Sequence, residues 1–462
     1  MTETTSAVRD RELCYLTATE LGRHFRAGEL SPVEVTHAVL RRIARLEPQL
    51  NAFVLVDPEA ALANAKASEA RYRAGTPLSE LDGVTVSLKD LLLARGWPTR
   101  KGSRTTAAEG PWQEDSPAAA RLREAGAVLL GKTTTSELGL KGMGDSPLTG
   151  ITRNPWNLDH SPGGSSAGAV AAVAAGLGAL AVGTDGGGSI RVPAAFAGVV
   201  GLKPTFGRVP TYPAGVIGAP PHVGPITRSV RDATALLRVL ARPDDRDPYR
   251  LPHDELLAPE SAALGGLRIG YSARLFPAEL SPELSAAFAR AVEAFRALGA
   301  SLSPIEDSFD SPSPILTTLF HARAAFTVKD LSAEQRLLLD PAIEAAAREG
   351  EALSLQDYLS AEAARTALAQ RLAALHRRFD LLLTPSTGEL APKVDAGPSA
   401  LRAPFTGAFS LTRQPAISLP NGQSEAGLPI GVQLVGRHFE EVTILRAAAA
   451  FETRVRFVAP PL

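Results

Sequence analysis

Val84-Thr85-Val86-Ser87-Leu88-Lys89-Asp90 marks a change in the texture of the chain. Before it, the first 75 residues read as helices. Thr17-x-x-Glu20 and Ser31-Pro32-x-Glu34 both have the capping-box form, the second with proline at the first helical position. Val35, Ala38, Val39, Ile43 and Leu46 then recur at helical spacing, and Asp57-Pro58-Glu59 opens an Ala-rich helix towards Arg73. Residues 84–88 instead alternate as a strand does, and Ala127 to Leu130 form a wholly apolar strand after a helix ending near Gly126. Leu267 to Tyr271, Phe379 to Leu383, Ala416 to Leu419 and Ile430 to Val435 read as later strands. Between and after them, Ser281-Pro282-Glu283 caps a helix that stops at Gly299, residues 314–378 are mainly helical, and Glu440 to Arg454 form a closing helix. Strands alternating with helices, without a repeat, predict an α/β fold: a mixed, twisted β-sheet core covered by helices on both faces. The polar, Pro-rich stretch Pro243 to Pro259 reads as a loop at the edge of that core, so residues 1–462 are expected to form one large domain.

Composition narrows the function classes. Lys plus Arg number 48 against 49 Asp plus Glu, which argues against a nucleic-acid binder with a broad positive field and against a polyacidic tail. The single cysteine, Cys14, excludes an internal disulfide and a multi-Cys zinc site, and fits a reducing compartment. Met1 to Glu12 has no apolar core of a secretory signal, so a cytoplasmic protein is expected. Ala167 to Gly183 is uncharged for 17 residues, but a membrane span needs about 20, and Ala and Gly suit close packing; it reads as a buried helix. No membrane or nucleic-acid partner is expected, and the chain reads as a monomer or homodimer.

Two generic motifs fail on context. Gly126-Ala-Val-Leu-Leu-Gly131-Lys132-Thr133 satisfies the P-loop pattern, yet its four middle residues are the apolar strand itself, leaving no loop to cradle phosphate. Gly164-Ser165-Ser166-Ala167-Gly168 fits Gly-x-Ser-x-Gly and would nominate Ser166, but the polar run Asn157 to Gly163 offers no strand to lead into a nucleophile elbow. The eight histidines are scattered without metal-ligand spacing, so no metal is expected.

Two Gly/Ser clusters remain, residues 161–168 and 183–191, each abutting a dense apolar segment. Flexible surface turns seldom sit between buried elements. Successive glycines Gly186, Gly187 and Gly188 allow backbone amides to converge on one point, as a developing oxyanion requires, and Ser189 stands at the end of that nest as a candidate nucleophile. No histidine is placed to serve it. Lys89, at the end of an apolar strand, is the candidate base. A lysine of reference pKa about 10.4 is about 0.04% neutral at pH 7, and bringing it to about 7–8 takes roughly 3–5 kcal/mol of environment, which burial supplies.

Five segments then occur in order: residues 86–90, Asn154-Pro155-Trp156, Gly163-Gly164-Ser165-Ser166-Ala167-Gly168, Gly183-Thr184-Asp185-x-Gly187-Gly188-Ser189-Ile190-Arg191, and Gly201-Leu202-Lys203-Pro204-Thr205. With the late run Gly427 to Gly436, the chain resembles the amidase signature family from about residue 15 to 455. The resemblance implies one amidase-signature domain, with N-terminal helices about 15–75 on the core and a variable helical substrate side at about 310–378. It implies a Ser–Ser–Lys triad: Ser189 as acylated nucleophile, Ser165 as a bridging serine on a cis peptide bond, and Lys89 as base. Gly186, Gly187 and Gly188 would contribute the oxyanion hole, Asp185 and Arg191 would hold the nucleophile loop, and Ser166 would be structural. No cofactor is implied.

The implied reaction is hydrolysis of an amide through an acyl-enzyme. The candidate pocket walls are Glu137 to Asp145 (with Met143 and Gly144), Tyr212 to His222, and Leu316 to Phe326 (with Phe320). Their apolar character suggests neutral aryl or alkyl amides, with esters and carbamates as relatives. The rival within the family is the glutaminase subunit of tRNA-dependent amidotransferases. That subunit typically carries an Asp-Glu-Phe-Ala-Met-Gly run, from which Thr133-Thr-Thr-Ser-Glu137-Leu-Gly-Leu-Lys-Gly142-Met143-Gly departs, favouring a stand-alone hydrolase. A non-catalytic assembly subunit is a third reading, and the intact triad positions speak against it.

Overall fold

In the computed structural model, which describes residues 3–213, 222–252, 263–397 and 403–462, the stretch at 84–90 becomes a strand deep in one large mixed sheet. Among the described residues the strands are β1 Phe53–Val56, β2 Thr85–Lys89, β3 Val128–Thr133, β4 Asp145–Ser146, β5 Gly150–Ile151, β6 Leu180–Asp185, β7 Val200–Lys203, β8 His222–Thr227, β9 Arg268–Tyr271, β10 Ser301–Pro304, β11 Leu381–Pro385, β12 Ala416–Gln423 and β13 Pro429–Gly436. Eleven join in the order β1-β3-β2-β6-β8-β7-β12-β13-β11-β9-β10, while β4 and β5 form a separate ribbon. The late strands thus continue the early sheet, and helices cover it in a single α/β domain.

The central strands β2, β3 and β6 are parallel and buried throughout. Val86, Ser87 and Leu88 lie opposite Leu180, Ala181 and Val182, so β2 and β6 end side by side at Lys89 and Asp185. In α/β sheets, ligands bind beyond the carboxyl ends of parallel strands. This register therefore brings Lys89 and the cluster at 183–191 to the same end of the central strands. The P-loop match is absorbed as expected: Gly131, Lys132 and Thr133 lie within β3.

Two local expectations are corrected. Ala167 to Gly183 is not one helix: a helix spans Ala167–Ala174, and β6 begins at Leu180. Gly176 and Gly178, at φ +69° and +133°, turn the chain between them, a backbone region that disfavours other residues. The Ser31 side chain caps its helix through the Val33 amide, but Glu34 pairs with Arg9 instead of closing a capping box. At Thr17 the box does form with Glu20. The loop reading of Pro243 to Pro259 falls partly on residues 253–259, outside the described residues. No helix among the described residues is long and apolar enough to cross a membrane.

Candidate active site

Lys89 ends β2 with no solvent exposure, and its ammonium-forming nitrogen meets hydroxyls instead of a carboxylate. Nζ lies 2.6 Å from Ser165 Oγ, 2.9 Å from Ser166 Oγ and 2.9 Å from Thr184 Oγ1. Ser166 Oγ donates its own proton to the Thr184 carbonyl at 3.2 Å, so towards Lys89 it is an acceptor. Burial drives the Lys89 pKa well below the ordinary lysine value; Asp185 pulls it back and the Arg323 guanidinium pushes it further down. Burial of an amine without an adjacent counterion favours its neutral form.

Ser165 reaches this position on the loop before the helix Ala167–Ala174, and the Gly164–Ser165 peptide is cis. Gly164 is required by close approach: a Cβ there would stand 2.4 Å from the Met143 carbonyl. Ser189 sits on the turn leaving β6, partly exposed. The Ser166 amide donates to the Ser189 carbonyl at 3.3 Å, tying the two loops together. No direct hydrogen bond joins the Ser165 and Ser189 hydroxyls, so of the expected relay the structure brings Lys89 and Ser165 into contact and places Ser189 beside them.

The turn that carries Ser189 is shaped by Asp185. Its carboxylate accepts from the amides of Gly188 at 2.8 Å and Ile190 at 3.2 Å, and from Arg191 Nε at 2.9 Å. Burial alone would raise the Asp185 pKa, but the Arg191 charge outweighs it and holds the carboxyl far below the usual range. Arg191 also donates to Gln433 Oε1 at 2.6 Å, the Thr406 carbonyl at 3.0 Å and Ser410 Oγ at 2.7 Å. Ser410 Oγ in turn donates to Asp185 at 2.9 Å. The late glycine-rich segment thus meets the site through Gln433 on β13. This arrangement corrects one expectation: Gly188 is not a free oxyanion donor, because its amide is committed to Asp185. The amides of Gly186, Gly187 and Ser189 find no acceptor among the described residues.

The geometry agrees with what the chain is similar to. The amidase family model matches residues 34–445. The chain belongs to the amidase signature family. It is 36% identical to a glutamyl-tRNA(Gln) amidotransferase subunit of Geobacter metallireducens, over 96% of this chain and 97% of the other. To an acylamidase of Rhodococcus erythropolis it is 35% identical, with 96% of each chain covered. The crystal structure of a bacterial aryl acylamidase of the amidase signature family superposes with a TM-score of 0.89 at 29% identity, over 96% of both chains. The chain is thereby an amidase-family enzyme hydrolysing C–N bonds.

In this amidase-signature fold, Ser189 opens into a cavity of about 270 Å³ walled by Leu140, Val192, Leu316 and Phe320 with Gly187 and Gly188. Phe320 lines that cavity, with its ring tip 3.6 Å from the position of a Cβ on Gly186 or Gly187. Met143 and Gly144 do not line that cavity; Met143 is buried behind Gly164, and Gly144 packs against Ala167 and Gly163, so the wall comes from residues 139–142. Of Tyr212 to His222, residues 214–221 lie outside the described residues, while Tyr212 and Pro213 line a neighbouring cavity of about 420 Å³. Leu319 faces the core instead. Thr184, Arg323, Thr406, Ser410 and Gln433 escaped the sequence reading. Thr184 alone carried a local signal, as the hydroxyl residue one step before Asp185.

Proposed function

We propose that the chain is a stand-alone serine hydrolase that cleaves small-molecule aryl or alkyl amides through an acyl-enzyme on Ser189. The observation that carries this reading is a fully buried Lys89 whose nitrogen touches Ser165 at 2.6 Å and no carboxylate. Neutral Lys89 takes a proton from Ser165, which takes one from Ser189, whose Oγ attacks the amide carbonyl. The Ser165–Ser189 leg closes during turnover, as catalytic hydrogen bonds commonly tighten in the reacting complex. The oxyanion rests on the Gly186, Gly187 and Ser189 amides, fixed in advance by the Asp185–Arg191 pair; each such donor contributes about 10²–10³ in rate. The proton returns along the relay to the leaving amine, and water then repeats the sequence on the ester. Leu140, Val192, Leu316 and Phe320 suit an apolar substituent beside the carbonyl. Carbamates and esters present a similar carbonyl to the same groups.

The amidotransferase reading has a specific support in the Geobacter relative. The departure at residues 133–144 and the Rhodococcus acylamidase favour independence. An acyl 4-nitroanilide, a carbamate and an ester given to the purified chain separate them. Amine release without partners, lost at least 10⁴-fold in Ser189→Ala, is the expected result. Ammonia released from glutamine alone, and only with added subunits, overturns the stand-alone reading.

A further inference from the structure

The helix Ser313–Val328 carries residues into both cavities. Leu316 and Phe320 face the Ser189 cleft, while Arg323, Phe326 and Thr327 face the larger one. Gly186 is the seam between them: a Cβ added there would meet Phe320 Cζ at 3.6 Å and Arg323 Nη1 at 3.8 Å. Arg323 is half-buried, and its guanidinium makes no ion pair or hydrogen bond among the described residues. Other cations at this edge have carboxylate partners, Arg191 with Asp185, Lys132 with Asp90, and Lys141 with Asp145 and Asp340, whereas Lys89 has none. The larger cavity also receives Lys101, whose ammonium is likewise unpaired, and the mutually paired Lys329 and Asp330 at 2.5 Å. Its charge balance is positive.

A guanidinium that offers five donors to a cavity and meets no acceptor in the protein is free to receive an anion. The planar guanidinium fork matches a carboxylate in bidentate fashion. We propose that Arg323 is a specificity-determining residue that receives a carboxylate on the substrate, so that the preferred amides carry an acid group projecting from the scissile bond past Gly186 into the larger cavity. This deepens the hydrolase reading above and rests on it. The carbonyl would lie over the Gly186 amide, with its apolar part against Phe320 and its acid end on Arg323. The rival role for Arg323 is purely electrostatic, since its charge also depresses Lys89. The two roles differ in what they do to substrate choice.

The test compares glutaryl 4-nitroanilide with the neutral valeryl 4-nitroanilide, and 4-acetamidobenzoate with acetanilide, so that an acid on either side of the amide is covered. The full chain is assayed as wild type, Arg323→Met and Arg323→Lys. Wild type is expected to favour the acid of at least one pair tenfold or more in kcat/KM, mainly through KM. Arg323→Met is expected to reduce that ratio at least tenfold, and Arg323→Lys to restore part of it. A ratio unchanged by Arg323→Met, or no acid preference in either pair, overturns the proposal. Calorimetric binding of glutarate and 4-aminobenzoate to Ser189→Ala gives a readout without turnover: binding lost on adding Arg323→Met supports the assignment even if the hydrolase reading fails, and binding indifferent to that change overturns it.

Discussion

Lys89 and Lys132 stand on adjacent parallel strands, both with zero exposure, and only Lys132 has a carboxylate beside it. Lys132 Nζ lies 3.0 Å from Asp90 Oδ1 and 2.8 Å from Thr99 Oγ1. Asp90 follows Lys89 directly in the chain, yet successive side chains leave a strand in opposite directions, so Asp90 serves the neighbouring lysine. Burial lowers both lysines, but the Asp90 charge opposes it at Lys132. The carboxylate whose charge acts on Lys89 is Asp185, and Arg191 already balances it. Burial is therefore common to both sites; the missing counterion is what sets Lys89 apart and supports its proposed role as the base.

Two substitutions test this contrast most severely. Lys89→Met is expected to lower kcat about 10²–10⁴-fold while leaving the folded protein as stable as before or more so, because a buried amine is removed without stranding a charge. Steady-state assay with an anilide and urea denaturation check both halves; activity within threefold of wild type breaks the contrast. Lys132→Met should show the reverse pattern. It leaves the Asp90 carboxylate buried alone, a change that typically costs about 3–5 kcal/mol, with kcat of the folded fraction within tenfold of wild type. Adding Asp90→Leu should recover much of the lost stability, and failure to do so would mean that the pair is not what makes Lys132 tolerable.

pH sharpens the same comparison. Both lysines have folded-state pKa values below that of an unfolded lysine, so unfolding takes up a proton in the window between the folded value and about 10.4. Stability accordingly rises with pH across that window, by about 1.4 kcal/mol per unit for each such lysine, and is flat below the folded value. Replacing either lysine by methionine should remove one such slope from the denaturation profile. Activity separates the two: only the neutral form of Lys89 can accept a proton, so kcat/KM falls tenfold per unit as pH drops through its folded value. The Lys132→Met variant should keep that acid limb in place.

How far the sequence carried this comparison depends on what each feature rests on. Strands β2 and β3 were legible because alternation and apolar runs are local, and Lys89 stood out as a charge at the end of one. The break between the helix Ala167–Ala174 and β6 was obscured because small residues look alike in a buried helix and a buried strand, although Gly176 and Gly178 were there as punctuation. The direction of the Gly188 amide could not be read, since it is set by Asp185, which is held by Ser410 and by Arg191, itself fixed by Gln433; both Ser410 and Gln433 lie more than 200 residues away. Arg323 looked like one more polar residue on a helical surface, and only its neighbours in space mark it out.

The smallest effect is expected at Thr184, and its sign is the informative part. Thr184 Oγ1 lies 2.9 Å from Lys89 Nζ, and valine has nearly the same shape without the hydroxyl. Ser166 has committed its proton to the Thr184 carbonyl, and Ser165, at the shortest distance, is the hydroxyl that must donate to the lysine lone pair. Thr184 is then an acceptor, which favours the charged amine. Removing it in Thr184→Val should lower the Lys89 pKa further, move the acid limb of kcat/KM to lower pH, and reduce the plateau rate less than tenfold through looser aim of Nζ at Ser165. A limb that moved to higher pH would mean that the Thr184 hydroxyl had been donating to the neutral amine. The proton path would then run through Thr184, and Ser165 would be left accepting from the lysine it is proposed to supply.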